Sequence, residues 1–299
     1  MKDLQSTNRL FMVEPKVFYM NPETSSSNHY QKDDNSMTED EILNAAIEEF
    51  VRFRDNLVES GIEVITIKGS DECPDHIFPN WFTTFSDSTY QIFPMLAENR
   101  RKEKTKAMKD FLNKSYKLKA DLSFMEKDNL FLESTSSMVF DRINRIVYLT
   151  LSPRANQELA EKWCAENNYQ LVMFETESHT GSPIYHTDVL MYVGTTMIGI
   201  CYEVIKPEYR DKVIEMTNKY HEVLEIKQDQ LLDFCGNCLE VPNMDRKLQL
   251  VMSSRAFNAY TEEQMQFLNK HFDKIVHQDI PTIEKYGGGS ARCMIAELF

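Results

Sequence analysis

The fourteen residues from Tyr286 to Phe299 read YGGGSARCMIAELF, and the fold and function of the chain are best approached from them. Three glycines stand together here, although the whole sequence has only 9 glycines among 299 residues. Glycine lets a backbone approach a ligand closely and adopt positive φ. A thiol after such a loop, at Cys293, is exposed to a ligand yet held by the apolar strand predicted over residues 294–299. The stretch therefore predicts a cysteine nucleophile that is delivered by a closing strand.

Outward from this stretch, strand and helix patterns alternate along the chain. A capping box at Thr38–Glu41 predicts the start of a helix, and residues 61–68 show the alternation typical of a strand. An amphipathic helix is predicted over residues 102–117. About five units of strand, strand, helix and strand recur, each roughly 50 to 60 residues long. An open α/β sheet does not explain why strands so often follow strands, and no long linker interrupts the pattern. We therefore predict a single α/β domain over residues 1–299.

Composition narrows the function. The hydrophobic content of 42% and charged content of 27% are typical of a globular protein, and the net charge of −14 disfavours a nucleic-acid partner. No stretch has the roughly 18 apolar residues of a membrane helix, and the first residues lack a signal-peptide pattern. We expect a cytoplasmic protein that binds no membrane and keeps its 6 cysteines reduced.

One close cysteine pair, Cys235 and Cys238, has the spacing of a metal or redox motif. No second pair and no flanking histidines complete a zinc site. We interpret Cys238 as a buried strand residue, and the sequence predicts neither a metal nor a cofactor.

Candidate acid–base residues precede two apolar strands. His186 and Asp188 stand two apart, so on a strand their side chains face the same way and share one wall of a site. Glu133 has apolar flanks, and as a semi-buried carboxylate it would orient a histidine. The alternatives remain an ordinary polar loop for His186 and Asp188 and a surface position for Glu133.

Candidate binding residues lie at two further junctions. Arg154, between a strand and a helix, suits a bidentate clamp on a substrate carboxylate, although a surface salt bridge is the alternative. Residues 73–85 combine Asp75 and Asn80 with four aromatic residues, which suits the wall of a small-molecule pocket. The alternative is core aromatics with turn residues. The four aromatic residues are Phe78, Trp81, Phe82 and Phe85.

In this order, the segments resemble the amidinotransferase/deiminase superfamily, whose pentein fold is a five-bladed ββαβ α/β-propeller around a central site. The resemblance runs from Met12 to Phe299 and is nearest to bacterial amidinotransferase-like citrulline hydrolases. Arginine deiminases and dimethylarginine hydrolases resemble the chain at greater distance. The matching motifs are GGGSARCM around Cys293, His186-Thr-Asp188, Leu132-Glu133, Ser152-Pro-Arg154, and Pro74-Asp75 with Phe78.

The resemblance implies a role for each residue. Cys293 attacks the carbon of a guanidino or ureido group, and His186, oriented and favoured in its charged form by Glu133, protonates the leaving nitrogen and then activates water. Asp188 holds substrate N–H groups and Arg154 binds the α-carboxylate. The remaining contacts to a small-molecule substrate are assigned to Asp75 and Asn80.

One departure from the family pattern bears on the substrate. Arginine deiminases have an Arg-Asp pair where this chain reads Asn80-Trp81. One carboxylate fewer suits a neutral ureido group, so the sequence predicts hydrolysis of citrulline to ornithine, carbon dioxide and ammonia. Ser134 stands where the family has a glycine after Glu133, and Ala155 stands where it has a threonine after Arg154.

Alternatives remain open. They are hydrolysis of arginine or dimethylarginine, amidino transfer to an amine, and an inactive binding module of the same fold. The sequence allows a homo-oligomer. Residues 21–35 form either a lid or an ordinary solvated loop, and we expect His76 and His179 at the surface.

Overall fold

The structure is a computed structural model that describes residues 4–299. Its strands within that range are β1 (Arg9–Glu14), β2 (Glu63–Lys68), β3 (Phe82–Phe85), β4 (Thr89–Ile92), β5 (Lys117–Asp121), β6 (Val139–Asp141), β7 (Ile146–Thr150), β8 (Gln170–Phe174), β9 (Met191–Val193), β10 (Met197–Ile200), β11 (Glu222–Glu225), β12 (Leu239–Pro242), β13 (Leu248–Ser253), β14 (Lys274–Gln278) and β15 (Ala296–Glu297).

Helices connect the strands and cover their outer faces. The α-helices are α1 (Pro22–Ser25), α2 (Glu39–Glu59), α3 (Glu98–Arg101), α4 (Lys106–Ser115), α5 (Ser134–Ser137), α6 (Gln157–Glu166), α7 (Pro207–Asn218), α8 (Gln228–Leu231), α9 (Ser254–Ala259) and α10 (Glu262–His271). Two 3₁₀ turns cover Ser123–Asp128 and Thr187–Val189, and a π-helical turn covers Ile283–Gly287.

The strands form five sheets of three strands each, and all five sheets share one pattern. The first strand runs antiparallel to the middle strand, and the third runs parallel to it after a helical crossover. The strand orders are β15-β1-β2, β3-β4-β5, β6-β7-β8, β9-β10-β11 and β12-β13-β14. The predicted recurrence of five units is confirmed.

The capping box at the start of α2 forms as predicted. The Thr38 hydroxyl accepts a hydrogen bond from the Glu41 backbone N–H, and the Glu41 carboxylate accepts one from the Thr38 N–H. These bonds satisfy backbone donors that the first turn leaves free. The helix packs on β14 with one part of its surface and on β1 and β2 with another, so it joins the fifth sheet to the first.

The helix predicted over residues 102–117 is shorter than expected. It begins after Thr105, whose side chain accepts from the Met108 N–H, and it ends at Ser115. Residues Lys117–Asp121 instead pair with β4 as the third strand of that sheet. Lys117, predicted as the last helical residue, thus belongs to β5, where pairing with β4 outweighs the helical pattern. Strand β3 was not predicted, because four residues are too few to show a clear period. Cys238 is buried, but it immediately precedes β12 rather than lying in a strand.

The closing strand predicted over residues 294–299 is present but shorter, as β15 (Ala296–Glu297), which pairs antiparallel with β1 at Leu10↔Glu297 and Phe11↔Ala296. The Thr84 hydroxyl donates to the Glu297 carbonyl at 2.8 Å and accepts from the Phe299 N–H at 2.9 Å. The strand therefore holds two sheets together. The single domain over residues 1–299 stays a prediction.

We expect deletion of Ile295–Phe299 to unfold the site rather than trim a tail. The deletion removes two buried side chains, Ile295 and Leu298, and the burial of each stabilises the fold by about 1.5–3 kcal/mol. It also removes the pairing with β1. Thermal unfolding followed by circular dichroism measures the loss, which we expect to exceed about 5 kcal/mol. Phe299→Ala, which leaves β15 in place, is the matched control. A truncated protein with full activity would contradict the closing-strand role.

Candidate active site

The predicted site residues converge because of where they stand in the five sheets. Nearly all of them lie in the segments that lead into the first strand of a sheet, and these first strands contact one another: β3 with β15, β6 with β9, and β9 with β12. Asp75 and Asn80 precede β3, Glu133 precedes β6, His186 and Asp188 precede β9, and Cys293 precedes β15. Arg154 instead follows β7.

These segments surround a narrow cavity with room for about one water molecule. Asp75, Asn80, Arg154, His186 and Cys293 line it together. Phe78, Arg100 and Tyr185 complete its wall with the glycines of the tail. Glu133 and Asp188 adjoin it through their contacts with the histidine and the cysteine, so the structure brings all seven predicted residues together.

Glu133 anchors the histidine. Its Oε2 lies 2.7 Å from His186 Nε2, and its Oε1 accepts the Leu96 backbone N–H at 3.0 Å. Two guanidinium groups also face Oε2, that of Arg154 at 3.6 Å and that of Arg100 at 3.8 Å. Burial alone would raise the pKa of Glu133, but Arg154, His186 and Arg100 together hold it well below its ordinary value. Glu133 is therefore a buried, ionised carboxylate.

His186 is neutral at rest. Burial lowers the pKa of its imidazole and outweighs the opposing effect of Glu133, which raises the pKa through the hydrogen bond and its charge. Glu133 thus favours the charged form of His186, as expected, but the effect of burial is larger and the pKa of His186 remains lowered. The imidazole is suited to accept a proton first and to donate it later.

Cys293 is only 2% exposed and is held between an anion and an amide. Its Sγ lies 3.6 Å from Asp188 Oδ2 and 3.1 Å from Asn237 Nδ2. Burial raises the pKa of the Cys293 thiol, and Asp188 raises it further. The resting group is a protonated thiol, so attack requires that its proton be taken up elsewhere in the site.

Asn237 is the residue that sequence reasoning missed. It belongs to the Cys235–Cys238 segment, whose two cysteines have the spacing of a metal or redox motif. The signal was the unusual Gly-Asn pair just before an apolar run. Both cysteines are buried free thiols, and residues 4–299 contain no cluster of histidine, cysteine or acidic side chains suited to a metal.

The glycines of the tail allow close contact on both sides of the cavity. A Cβ on Gly287 would lie 2.7 Å from the Phe78 ring. Gly288 has φ of +61°, and a Cβ there would lie 2.6 Å from the Gln31 backbone nitrogen. Its carbonyl also accepts from the Tyr185 hydroxyl at 2.7 Å. The backbone at Gly287 and Gly288 therefore packs so closely against its neighbours that no residue with a Cβ fits without a shift.

Residues 21–31 pack over the cavity, which Asn28 lines, and they differ from an ordinary solvated loop, whereas residues 32–35 are exposed. Asn21 Nδ2 and the Thr24 hydroxyl donate to Asp75 Oδ2 at 2.8 Å and 3.0 Å. Arg154 Nη2 donates to the Ser27 hydroxyl at 2.8 Å. We call this segment the lid. It engages the same side chains that were predicted to bind substrate, so a substrate that reaches Arg154 competes with the lid.

We expect Gly288→Ala to impair activity more than stability, because the added methyl group pushes the lid away. Gly181→Ala is the matched control: its φ is +79°, but no atom lies within 4 Å of the added Cβ. Both changes incur about 1 kcal/mol of backbone strain, and Gly288→Ala adds the clash with the Gln31 backbone, so its drop in Tm should be the larger of the two. Only Gly288→Ala should lower kcat/KM, by about 10²-fold, since misplacement near 1 Å has that effect. Equal activity losses in the two variants would contradict the lid contact.

Two local predictions need correction. Of the four aromatic residues predicted to form the pocket wall, only Phe78 lines the cavity; Trp81, Phe82 and Phe85 pack into the core, with Trp81 and Phe82 at a ring distance of 4.6 Å. His76 is buried and does not lie at the surface. Its Nδ1 accepts a hydrogen bond from the Ser70 N–H at 3.0 Å. Burial and the nearby Arg100 lower the pKa of His76 to about 4. His179 is exposed, as expected.

The described helices include none that is both long and apolar enough to cross a bilayer. A comparison with curated protein sequences finds no significant match. A family profile described as N,N dimethylarginine dimethylhydrolase, eukaryotic, matches residues 14–299.

Solved structures share the fold. The N-terminal domain of ArgZ, covalently bound to a reaction intermediate, superposes with a TM-score of 0.77 at 14% identity, over 97% of both chains. ArgZ is described as an arginine dihydrolase from the ornithine–ammonia cycle in cyanobacteria. AgrE with L-arginine superposes with a TM-score of 0.74 at 13% identity, over 97% of this chain and 40% of that one.

A third structure is a dimethylarginine dimethylaminohydrolase variant in an adduct with S-methyl-L-thiocitrulline. Its TM-score is 0.63 at 14% identity, over 97% of this chain and 99% of that one. Identity this low shows the fold alone, and the predicted pentein fold is confirmed. Given the profile match over residues 14–299, the chain belongs to the N,N dimethylarginine dimethylhydrolase family of the pentein superfamily.

Proposed function

We propose that the protein is a thiol-dependent hydrolase that cleaves a C–N bond in the guanidino or ureido group of an amino acid. The observation that carries this proposal is the single cavity lined by Cys293, His186 and Arg154. Behind it, Glu133 bonds the imidazole and Asp188 adjoins the thiol. Nucleophile, acid–base group, orienting carboxylate and substrate clamp are thus available around one small volume. The family membership supports the same reaction class.

In the proposed mechanism, neutral His186 takes the proton of Cys293 as the sulfur attacks the central carbon of the substrate. Asp188 accepts the substrate N–H groups, which its unpartnered Oδ1 is free to do. The imidazolium, stabilised by Glu133, then gives its proton to the leaving nitrogen. A water molecule deprotonated by His186 attacks the same carbon and releases the product from sulfur.

We propose citrulline as the substrate. Its ureido group is neutral and needs donors and acceptors rather than a second anion. At the two positions where arginine deiminases have Arg-Asp, Asn80 offers an amide to the cavity and Trp81 points into the core. Loss of ammonia leaves a carbamoyl group on Cys293. Water converts this group to a carbamic acid, which decomposes to ornithine and carbon dioxide, so atoms balance with one water consumed.

Arginine or a methylated arginine is the second candidate. The family profile is named for dimethylarginine hydrolysis, and the structural neighbour AgrE binds L-arginine. Three buried carboxylates, those of Glu133, Asp188 and Asp75, stand in or beside the cavity against the guanidinium groups of Arg100 and Arg154. A cationic substrate would gain from Asp188 and would help to ionise the thiol.

Separate incubations with citrulline, arginine and dimethylarginine test the proposal, with Cys293→Ala as the inactive control. Ornithine and ammonia from citrulline support the first candidate. Citrulline that accumulates from arginine or dimethylarginine supports the second. Transfer of a labelled amidino group from arginine to glycine would show an amidinotransferase instead. If the folded protein converts none of these substrates, the proposed function is wrong.

A further inference from the structure

The turn Cys235-Gly-Asn-Cys238 is packed against the segment that carries His186 and Asp188. A Cβ on Gly236 would lie 2.2 Å from the Val189 carbonyl oxygen and 2.8 Å from the Leu190 carbonyl carbon. A Cβ atom does not come this close to atoms to which it is not bonded, so only glycine fits at this position. The absence of a side chain at Gly236 lets the turn reach the strand entry beside Asp188 and sets the next residue, Asn237, against Cys293.

Asn237 makes three hydrogen bonds at this place. Its Nδ2 donates to the Asp188 backbone carbonyl at 2.9 Å and to Cys293 Sγ at 3.1 Å, and its Oδ1 accepts the Cys293 N–H at 3.2 Å. A carbonyl only accepts and a backbone N–H only donates, so these partners fix which end of the amide faces the sulfur. The amide must present a donor to Sγ.

Asn237 also occupies the equivalent position in the remaining sheet. It precedes β12, the first strand of the fifth sheet, as Asn80 precedes β3, Glu133 precedes β6, Asp188 precedes β9 and Cys293 precedes β15. It is 1% exposed, and burial of its amide would cost free energy without the hydrogen bonds just described. Its position in the fold is that of a site residue.

The surroundings of the sulfur explain why a donor is needed. The Asp188 carboxylate lies 3.6 Å from Sγ, and Cys293 is almost fully buried. Both features oppose a thiolate. Burial and Asp188 raise the pKa of the Cys293 thiol, whereas the Ser290 backbone, the Asn237 amide and Arg292 act in the opposite direction. Asn237 is the side chain among these three that donates directly to Sγ.

We propose that Asn237 is a catalytic residue that stabilises the Cys293 thiolate when the sulfur gives up its proton and again when water releases the intermediate. A hydrogen bond to an anionic acceptor is about twice as strong as one to a neutral acceptor, so the contact strengthens as charge develops. The proton itself passes to neutral His186, and Asn237 neither gains nor loses one. The bond from the Cys293 N–H to Oδ1 also fixes the direction of the sulfur.

The proposal rests on the proposed function only in taking Cys293 as the nucleophile, and its test needs no substrate. The rate of Cys293 alkylation by iodoacetamide is measured against pH, with the modified peptide quantified by mass spectrometry. We expect Asn237→Ala to move the midpoint of this profile up by about one pH unit, and kcat/KM to fall about 10- to 100-fold if a substrate is found. Asn237→Asp, of nearly the same shape, should move the midpoint up further because it places an acceptor beside the sulfur.

Cys235→Ala is the matched control, because it alters the same turn but removes only a hydrogen bond to the Ala256 carbonyl, at 3.5 Å, and none to Cys293. We expect its alkylation profile to equal that of the wild type. Unchanged profiles in Asn237→Ala and Asn237→Asp, with wild-type Tm, would overturn the proposal. So would unfolding of both variants, which would give Asn237 a purely structural role. If no substrate is turned over but the midpoint shifts, the proposed function fails, whereas the stabilisation of the Cys293 thiolate by Asn237 stands.

Discussion

Cys293→Ala should abolish turnover, with a loss in kcat on the order of 10⁴-fold or more. The thiol is the one nucleophile in the proposed mechanism, and an alanine methyl group leaves the cavity with no atom to form the covalent intermediate. Stability should change little, since the sulfur has one hydrogen bond to an amide and a weak contact with Asp188. Ornithine and ammonia release from citrulline, measured beside Tm, checks both parts.

Cys164→Ala controls for the loss of a buried thiol. Cys164 lies in α6, is equally buried, and packs against the core away from the cavity. Burial raises the pKa of this thiol to about 12, so it should be inert. Residual turnover in Cys293→Ala that matches the Cys164→Ala variant would show that the sulfur is not the nucleophile.

His186→Ala should lower kcat by about 10²- to 10⁴-fold, because the site loses the group that takes and returns the proton. The pH dependence gives a second readout. The pKa of His186 lies below its ordinary value near 6.5, so the acid limb of the kcat/KM profile should lie below pH 6.5 in the wild type. Activity rises there with pH as the imidazole loses its proton. In His186→Ala this limb should disappear.

Glu133→Gln tests the orienting carboxylate by the same profile. Glu133 raises the pKa of His186 through its charge and hydrogen bond, so its removal should move the acid limb to lower pH. His271→Ala, at the end of α10, is the control and should keep the wild-type profile. An acid limb that stays in His186→Ala would assign the titration to another group.

The sequence predicted much of the fold because local signals and tertiary packing agree. The capping box at Thr38, the alternation in residues 61–68 and the apolar run after Cys293 each correspond to an element of the structure. Where the two disagreed, tertiary pairing decided the outcome. Lys117 ends the predicted helix but pairs with β4, and four-residue strands such as β3 are too short to show a period.

The candidate site was predictable where a residue type carries its own chemistry. A cysteine that follows a run of three glycines, or a histidine two residues before an aspartate, indicates a reactive group from the sequence alone. Asn237 does not, because an amide acts only through the atoms placed against it, and those belong to segments about 50 residues away in either direction. The contacts between the lid and Asp75 or Arg154 depend likewise on chain positions that no local pattern links.

One consequence follows from the way each of the five sheets contributes to the site. Each of the five sheets supplies at least one site residue, so the geometry of the cavity depends on how all five sheets are oriented relative to one another. A small tilt of one sheet would leave every strand pair intact and still draw a functional group out of range. Warming or mild denaturant should therefore silence the enzyme before circular dichroism reports any loss of strands. For the same reason, catalytic activity should respond to a change in the relative orientation of the sheets that circular dichroism of the backbone does not detect.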